Sequence, residues 1–97
     1  MTSMEEAIEK GHKRYFKNSY WKGLYDDAPE DAKKYYDLIF SQLDGATEPD
    51  NLPVFKEMME GVYQGMSEAG WNYLINNTSN QMAKFHLEQK REQLSQR

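Results

Sequence analysis

Residues 26–45 read DDAPEDAKKYYDLIFSQLDG, and the fold turns on how this stretch is read. Ala32, Tyr35, Tyr36, Ile39 and Leu43 recur at helical spacing and mark one face of an α-helix. Leu38 and Phe40 widen that face. Pro29 suits a first helical turn, where a missing N–H is no loss. Asp26 or Asp27 can serve the cap region, and Gly45 supplies a stop. A helix with one apolar face must lay it against other elements. On both sides the neighbouring sequence offers further helices.

Upstream, Ser3 followed by Glu6 forms a capping box. Glu5, Glu6 and Glu9 come early and Lys13, Arg14 and Lys17 late, which complements the helix dipole. Met4, Ile8, Gly11 and Tyr15 share a face. Beyond Lys17 the apolar face rotates, because Tyr20, Trp21, Leu24 and Tyr25 do not continue it. A kink or break is therefore expected near Asn18–Ser19.

Downstream, ATEPDNLP at 46–53 is a linker with two prolines. A helix is expected from about Pro53, capped by Asp50 or Asn51, with Phe55, Met58, Met59, Val62 and Met66 inward. Gly61 and Gly65 lie four apart, so another helix could approach closely there. Ser67 can restart the helix, and Trp71, Leu74, Ile75, Thr78, Met82 and Phe85 follow as an inward set. NNTSN at 76–80 is poor helix material and suggests a second kink. From Lys84 the polar run KFHLEQKREQLSQR predicts a projecting or frayed C-terminal helix over 85–97. No strand-like alternation or internal repeat interrupts this pattern. The expectation is an all-α fold, a small bundle of three to four helices, in a single helical domain over residues 1–97.

The core must be soft. Ile, Leu and Val total only twelve residues against thirteen aromatics, with six Met to fill gaps. That many Tyr and Trp exceed what a small helical core encloses with every polar tip satisfied. Some are expected at the surface, where interface cores favour them. Such a core also favours self-association as a homodimer or higher assembly. There is no Cys, which excludes disulfides and thiolate zinc sites. No apolar run reaches membrane-span length and the N-terminal residues lack a signal peptide's apolar core, so the expected setting is cytoplasmic with no membrane partner. Asn76 and Asn77 match the glycosylation pattern, which without a secretion signal reads as chance.

Charge is unevenly placed along a chain of net charge −4. Residues 1–9 carry three acids, and residues 10–25, KGHKRYFKNSYWKGLY, carry five bases and no acid. Residues 26–60 carry ten acids against three bases. Three chemistries can use the basic segment. Lys10, Lys13, Arg14, Lys17 and Lys22 could neutralise phosphates while Tyr15, Phe16, Tyr20 or Trp21 stack on bases. An acidic chain with a single Arg among those five bases argues against nucleic acid. Glu9 and His12 form one Glu-x-x-His pair, the unit of di-metal bundles. The second histidine, His86, has no matching Glu, so a metal site would need oligomerisation and no cofactor is expected.

The third chemistry is protein recognition, and it is the reading favoured here. It describes a non-enzymatic adaptor, regulator or inhibitor. Exposed members of Tyr15, Phe16, Tyr20, Trp21 and Tyr25 would make contact, and Lys13, Arg14 and Lys17 would steer an acidic partner or a second copy. Catalysis has little to build on. The serines sit where caps or polar surface explain them, and the paired acids at 26–27 and 30–31 sit at a helix start.

Overall fold

The computed structural model describes residues 2–96. Helix α1 (Met4–Tyr15) starts as its capping box requires, the Ser3 hydroxyl accepting the Glu6 N–H at 3.1 Å. It stops at Phe16, whose N–H donates to the His12 carbonyl. Helix α2 (Ser19–Asp26) begins at once, because the Asn18 carboxamide oxygen accepts the N–H groups of Tyr20 and Trp21 at 2.9 and 3.3 Å. The break expected near Asn18–Ser19 is thus a capped boundary between two helices.

Helix α3 (Glu30–Ser41) departs from expectation at both ends. Pro29 stands at the cap position, and Asp26 and Asp27 finish α2 instead of opening α3. The start of α3 is served from within by Asp31, which accepts the Ala32 N–H at 2.9 Å and the Ser67 N–H at 2.7 Å. One carboxylate thereby ties the start of α3 to the segment leading into α5. At the other end a 3-10 turn, Gln42–Asp44, tightens the backbone before Gly45 takes a left-handed φ of 112°. That tightening rotates Leu43 off the buried stripe, and it lies 71% exposed.

Helix α4 (Leu52–Gln64) buries Phe55, Met59 and Tyr63, with Met66 buried just beyond it. Met58 is exposed and Val62 half-buried. Asn51 precedes the helix without capping it through its side chain. Its amide donates to the carbonyls of Thr2 and Gly45, at 2.6 and 2.9 Å, and so pins the start of the chain to the turn. The close helix approach expected at Gly61 and Gly65 is not there: a Cβ at Gly61 would meet nothing within 4 Å, and Gly65 is the helix's C-cap.

That approach is at Gly11. A Cβ there would lie 2.5 Å from the Phe40 carbonyl oxygen and 2.9 Å from the Ser41 nitrogen. Ala7, one turn earlier on the same face, is fully buried. Two small residues therefore let α1 lie almost backbone to backbone on α3.

Helix α5 (Glu68–Asn76) is capped by Ser67, whose hydroxyl accepts the Gly70 N–H at 3.0 Å. Helix α6 (Gln81–Ser95) is capped by Asn80, whose side chain accepts the Ala83 N–H at 3.0 Å. Residues 77–80 are thus a full break, which resets the helical phase. Met82 and Phe85, expected to face inward, are 82% and 61% exposed. The inward face of α6 carries Leu87, fully buried, and Leu94, which packs against the core.

Nor is the C-terminal segment a frayed or projecting tail. Lys90 pairs with Glu60 of α4 at 3.1 Å and lies over the Tyr63 ring. Arg91 donates to Asn72 of α5 at 3.3 Å. Arg97, the last residue of the expected tail, lies outside the described residues. Among those residues there are six helices and no strand, so the chain is all-α but more finely divided than a bundle of three or four. Asn18, Ser67 and Asn80 mark subdivisions with side-chain caps and Gly45 with its left-handed φ, whereas α3 and α4 begin without a side-chain cap.

Candidate functional site

The segment 10–25 is built around a ring it does not contain. Phe40 of α3 is fully buried, and Tyr15 stacks on it with centroids 4.4 Å apart. Trp21 meets Phe40 edge-on at 5.8 Å and Tyr15 at 5.6 Å. Phe16 and Tyr25 each pack against Phe40 at 6.1 Å. Four of the five candidate aromatics are therefore half-buried around one side chain, and they fix α1 and α2 upon α3. Tyr20 alone among them is exposed, at 58%.

Beside this cluster His12 stacks on Phe16 at 4.9 Å, and its Nε2 lies 2.5 Å from Asp37 Oδ1. The same oxygen accepts the Tyr25 hydroxyl at 2.9 Å. Burial, reinforced by that hydrogen bond and the negative charge of Asp37, pushes the Tyr25 phenol up to about 12. Glu9 turns the other way, toward Lys13 at 3.5 Å. The Glu9–His12 pair thus does not converge on a common point. Among the described residues no three of His, Cys, Asp and Glu gather as a metal cluster would require.

The cations separate cleanly from the rings. Lys10, Lys13, Arg14 and Lys17, at helical spacing, line one open face with Asp44. Arg14 is held there by a two-pronged bond, Nε to Oδ2 and Nη2 to Oδ1, each 3.0 Å. These hydrogen bonds and the guanidinium charge hold the Asp44 carboxyl below the usual carboxylate range. Lys22 belongs elsewhere: it sits on α2, pairs with Asp26 at 2.9 Å and lies over the Phe16 ring.

No protein-family model, curated protein or solved structure matches this chain. The buried Ser41 hydroxyl donates to the Leu38 carbonyl at 2.6 Å. What the face of α1 offers is charge held in register. Its helix cannot shift without lifting Gly11 off α3 or breaking the Tyr15–Phe40 stack. Among the described residues no helix is long and apolar enough to cross a membrane.

Sequence reasoning placed Lys13, Arg14 and Lys17 on this face, and Lys10 follows from the same spacing. Asp44 and Asp37 had no local signal, since Asp44 meets Arg14, and Asp37 meets Tyr25 and His12, from a different helix or turn.

Proposed function

We propose that this chain is a non-enzymatic protein-binding module whose cationic face, Lys10, Lys13 and Arg14 of α1 with Lys17 in the turn after it, engages an acidic protein surface. One observation carries the reading: Lys10, Lys13 and Arg14 of a helix that is locked from beneath share one open face with Lys17 in the turn that follows, in a chain of net charge −4. A fixed positive strip on an acidic body orients an approaching partner and repels wrong docking modes. A second copy presenting its acidic 26–60 segment has the same chemistry, and light scattering distinguishes it from a different partner.

Nucleic acid would use the same cations but would find few rings to stack on. Tyr15, Trp21 and Tyr25 are turned toward Phe40. Charge reversal tests the proposal. Lys10, Lys13 and Lys17 are changed together to Glu, leaving Arg14 to hold Asp44. Proteins retained by the immobilised wild-type chain should be lost from the variant while helicity is unchanged. Equal retention would refute the assignment. Retention of generic DNA or RNA with a steep salt dependence would replace it with the nucleic-acid reading.

A further inference from the structure

Helix α6 turns two large apolar side chains to solvent. Met82 is 82% exposed and Phe85 61%, on the face opposite Leu87 and Leu94. At about 100° per residue, Met82, Phe85, Gln89, Glu92 and Gln96 form one exposed stripe directed away from the core. Their spacings of three, four, three and four are those of a two-helix seam. Of these five side chains only Glu92 is charged. Two bases of the helix are drawn off the stripe toward the body, Lys90 to Glu60 and Arg91 to Asn72.

The second half of the stripe is concave. Gln89, Glu92, Gln93 and Gln96 line a shallow depression of about 170 Å³. Residues at i, i+3, i+4 and i+7 are the four that form the hole for a knob when helices pair. Benzene occupies a cavity of about 150 Å³, so a phenyl ring suits this one. The first half of the stripe carries such a knob, Phe85. At 1.5 Å per residue the middle of the hole lies about 11 Å along the helix from Phe85. A two-fold axis halfway between them, beside Gln89, seats Phe85 of each copy in the hole of the other. It also sets the two α6 helices antiparallel, as an isologous contact requires. The two Gln89 carboxamides meet near the axis, where each offers the other a donor and an acceptor. A second copy supplies knob and hole together at the matching separation, and that selects it as the occupant.

We infer that the solvent face of α6 is a self-pairing surface, on which two copies of this chain join as an antiparallel dimer by reciprocal insertion of Phe85. One face of a 15-residue helix is smaller than a standard interface, so the dimer is weak, with a Kd of roughly 100 µM. The surface uses no cation of the α1 face, so this inference and the proposed function fail separately.

Sedimentation equilibrium of the full chain between about 10 µM and 1 mM should show monomer and dimer, with an association that added salt does not weaken, because no ion pair holds it. Phe85→Gln, at an exposed helical position, should fold as the wild type does and weaken the dimer at least about tenfold. Cross-linking reads the register, because the chain has no Cys. Gln89→Cys places two thiols beside the axis, within disulfide reach, and should form an oxidised dimer. Gln96→Cys places them about 21 Å apart along the helices and should not. Four results overturn the inference. These are a wild-type chain monomeric at about 1 mM, equal association in Phe85→Gln, and cross-linking of Gln96→Cys as fast as of Gln89→Cys. The fourth is loss of the dimer in the Lys10→Glu, Lys13→Glu, Lys17→Glu variant, which would move the association to α1.

Discussion

Replacing Gly11 by Ala should destabilise this chain even though Ala is the better helix former. The added Cβ would lie 2.5 Å from the Phe40 carbonyl oxygen and 2.6 Å from its carbon, where ordinary contact begins near 3.4 Å. Helix α1 must therefore withdraw by about 0.9 Å, the difference between those distances. The obstacle is main chain in the middle of α3, which cannot swing aside as a side chain would. Withdrawal also loosens fully buried Ala7 and the Tyr15–Phe40 stack at 4.4 Å.

Overpacking of this kind costs about 1–3 kcal/mol, and a backbone obstacle places it at the upper end. The gain in helix propensity returns about 1 kcal/mol, leaving a net loss of about 2 kcal/mol. For a domain of this size that lowers Tm by roughly 10 °C. Gly61→Ala is the matched control, because its Cβ would enter open space in the interior of α4. It should gain up to about 1 kcal/mol and raise Tm by about 4–8 °C. Far-UV circular dichroism melts of the two variants should move in opposite directions. A rise in both would refute the close α1–α3 contact.

Other perturbations probe other parts of the structure. Leu87→Ala should cost about 2–5 kcal/mol in denaturant unfolding, because α6 buries that side chain completely; a loss below about 0.5 kcal/mol would mean the C-terminal helix does not dock. Asp31 and Asp44 are both held below the ordinary carboxylate value. At Asp31 burial pushes upward but is outweighed by hydrogen bonds from Ser67 and Ala32, and at Asp44 the Arg14 fork dominates. Stability from these groups should be full above about pH 3.9 and fall as pH drops through their folded values, and Asp44→Asn should flatten that acid limb in Tm against pH. Burial is the first cause raising the phenols of Tyr25, Tyr35, Tyr36, Tyr63 and Tyr73, so their contribution is complete below about pH 10 and is lost above it. Phenolate absorbance at pH ~11 should accordingly stay well short of seven tyrosines until denaturant is added.

The helix ends that carry their own chemistry were legible in the sequence. Ser3, Asn18 and Ser67 cap by local hydrogen bonds, which depend on residues two or three positions away. Most of the cationic face was legible for the same reason, since spacings of three and four fix Lys10, Lys13 and Arg14 within one helix, while Lys17 joins them from the turn beyond it. What failed was phase across a break. Leu43 and Met82 were read as continuing stripes, but the 3-10 turn and the Asn80 cap each reset the rotation. Glycines failed differently. Gly11 and Gly61 look alike along the chain, and only the placement of α3 makes the first indispensable and the second dispensable. Some of the aromatic surplus was expected at the surface, and Tyr20 and Phe85 are exposed there; which others turn inward was not legible, because Phe40, on a different helix, gathers Tyr15, Phe16, Trp21 and Tyr25 around itself. Long-range pairs such as Arg14 with Asp44 are thirty residues apart, and no local pattern encodes them.

The central functional claim is that charge on one face of α1 selects an acidic protein partner. Its most direct measurement is partner retention by the wild-type chain and by the Lys10→Glu, Lys13→Glu, Lys17→Glu variant, at equal helicity and at physiological salt. The account predicts retention by the wild type that weakens as salt rises and is lost in the variant. A partner held equally by both chains would contradict it.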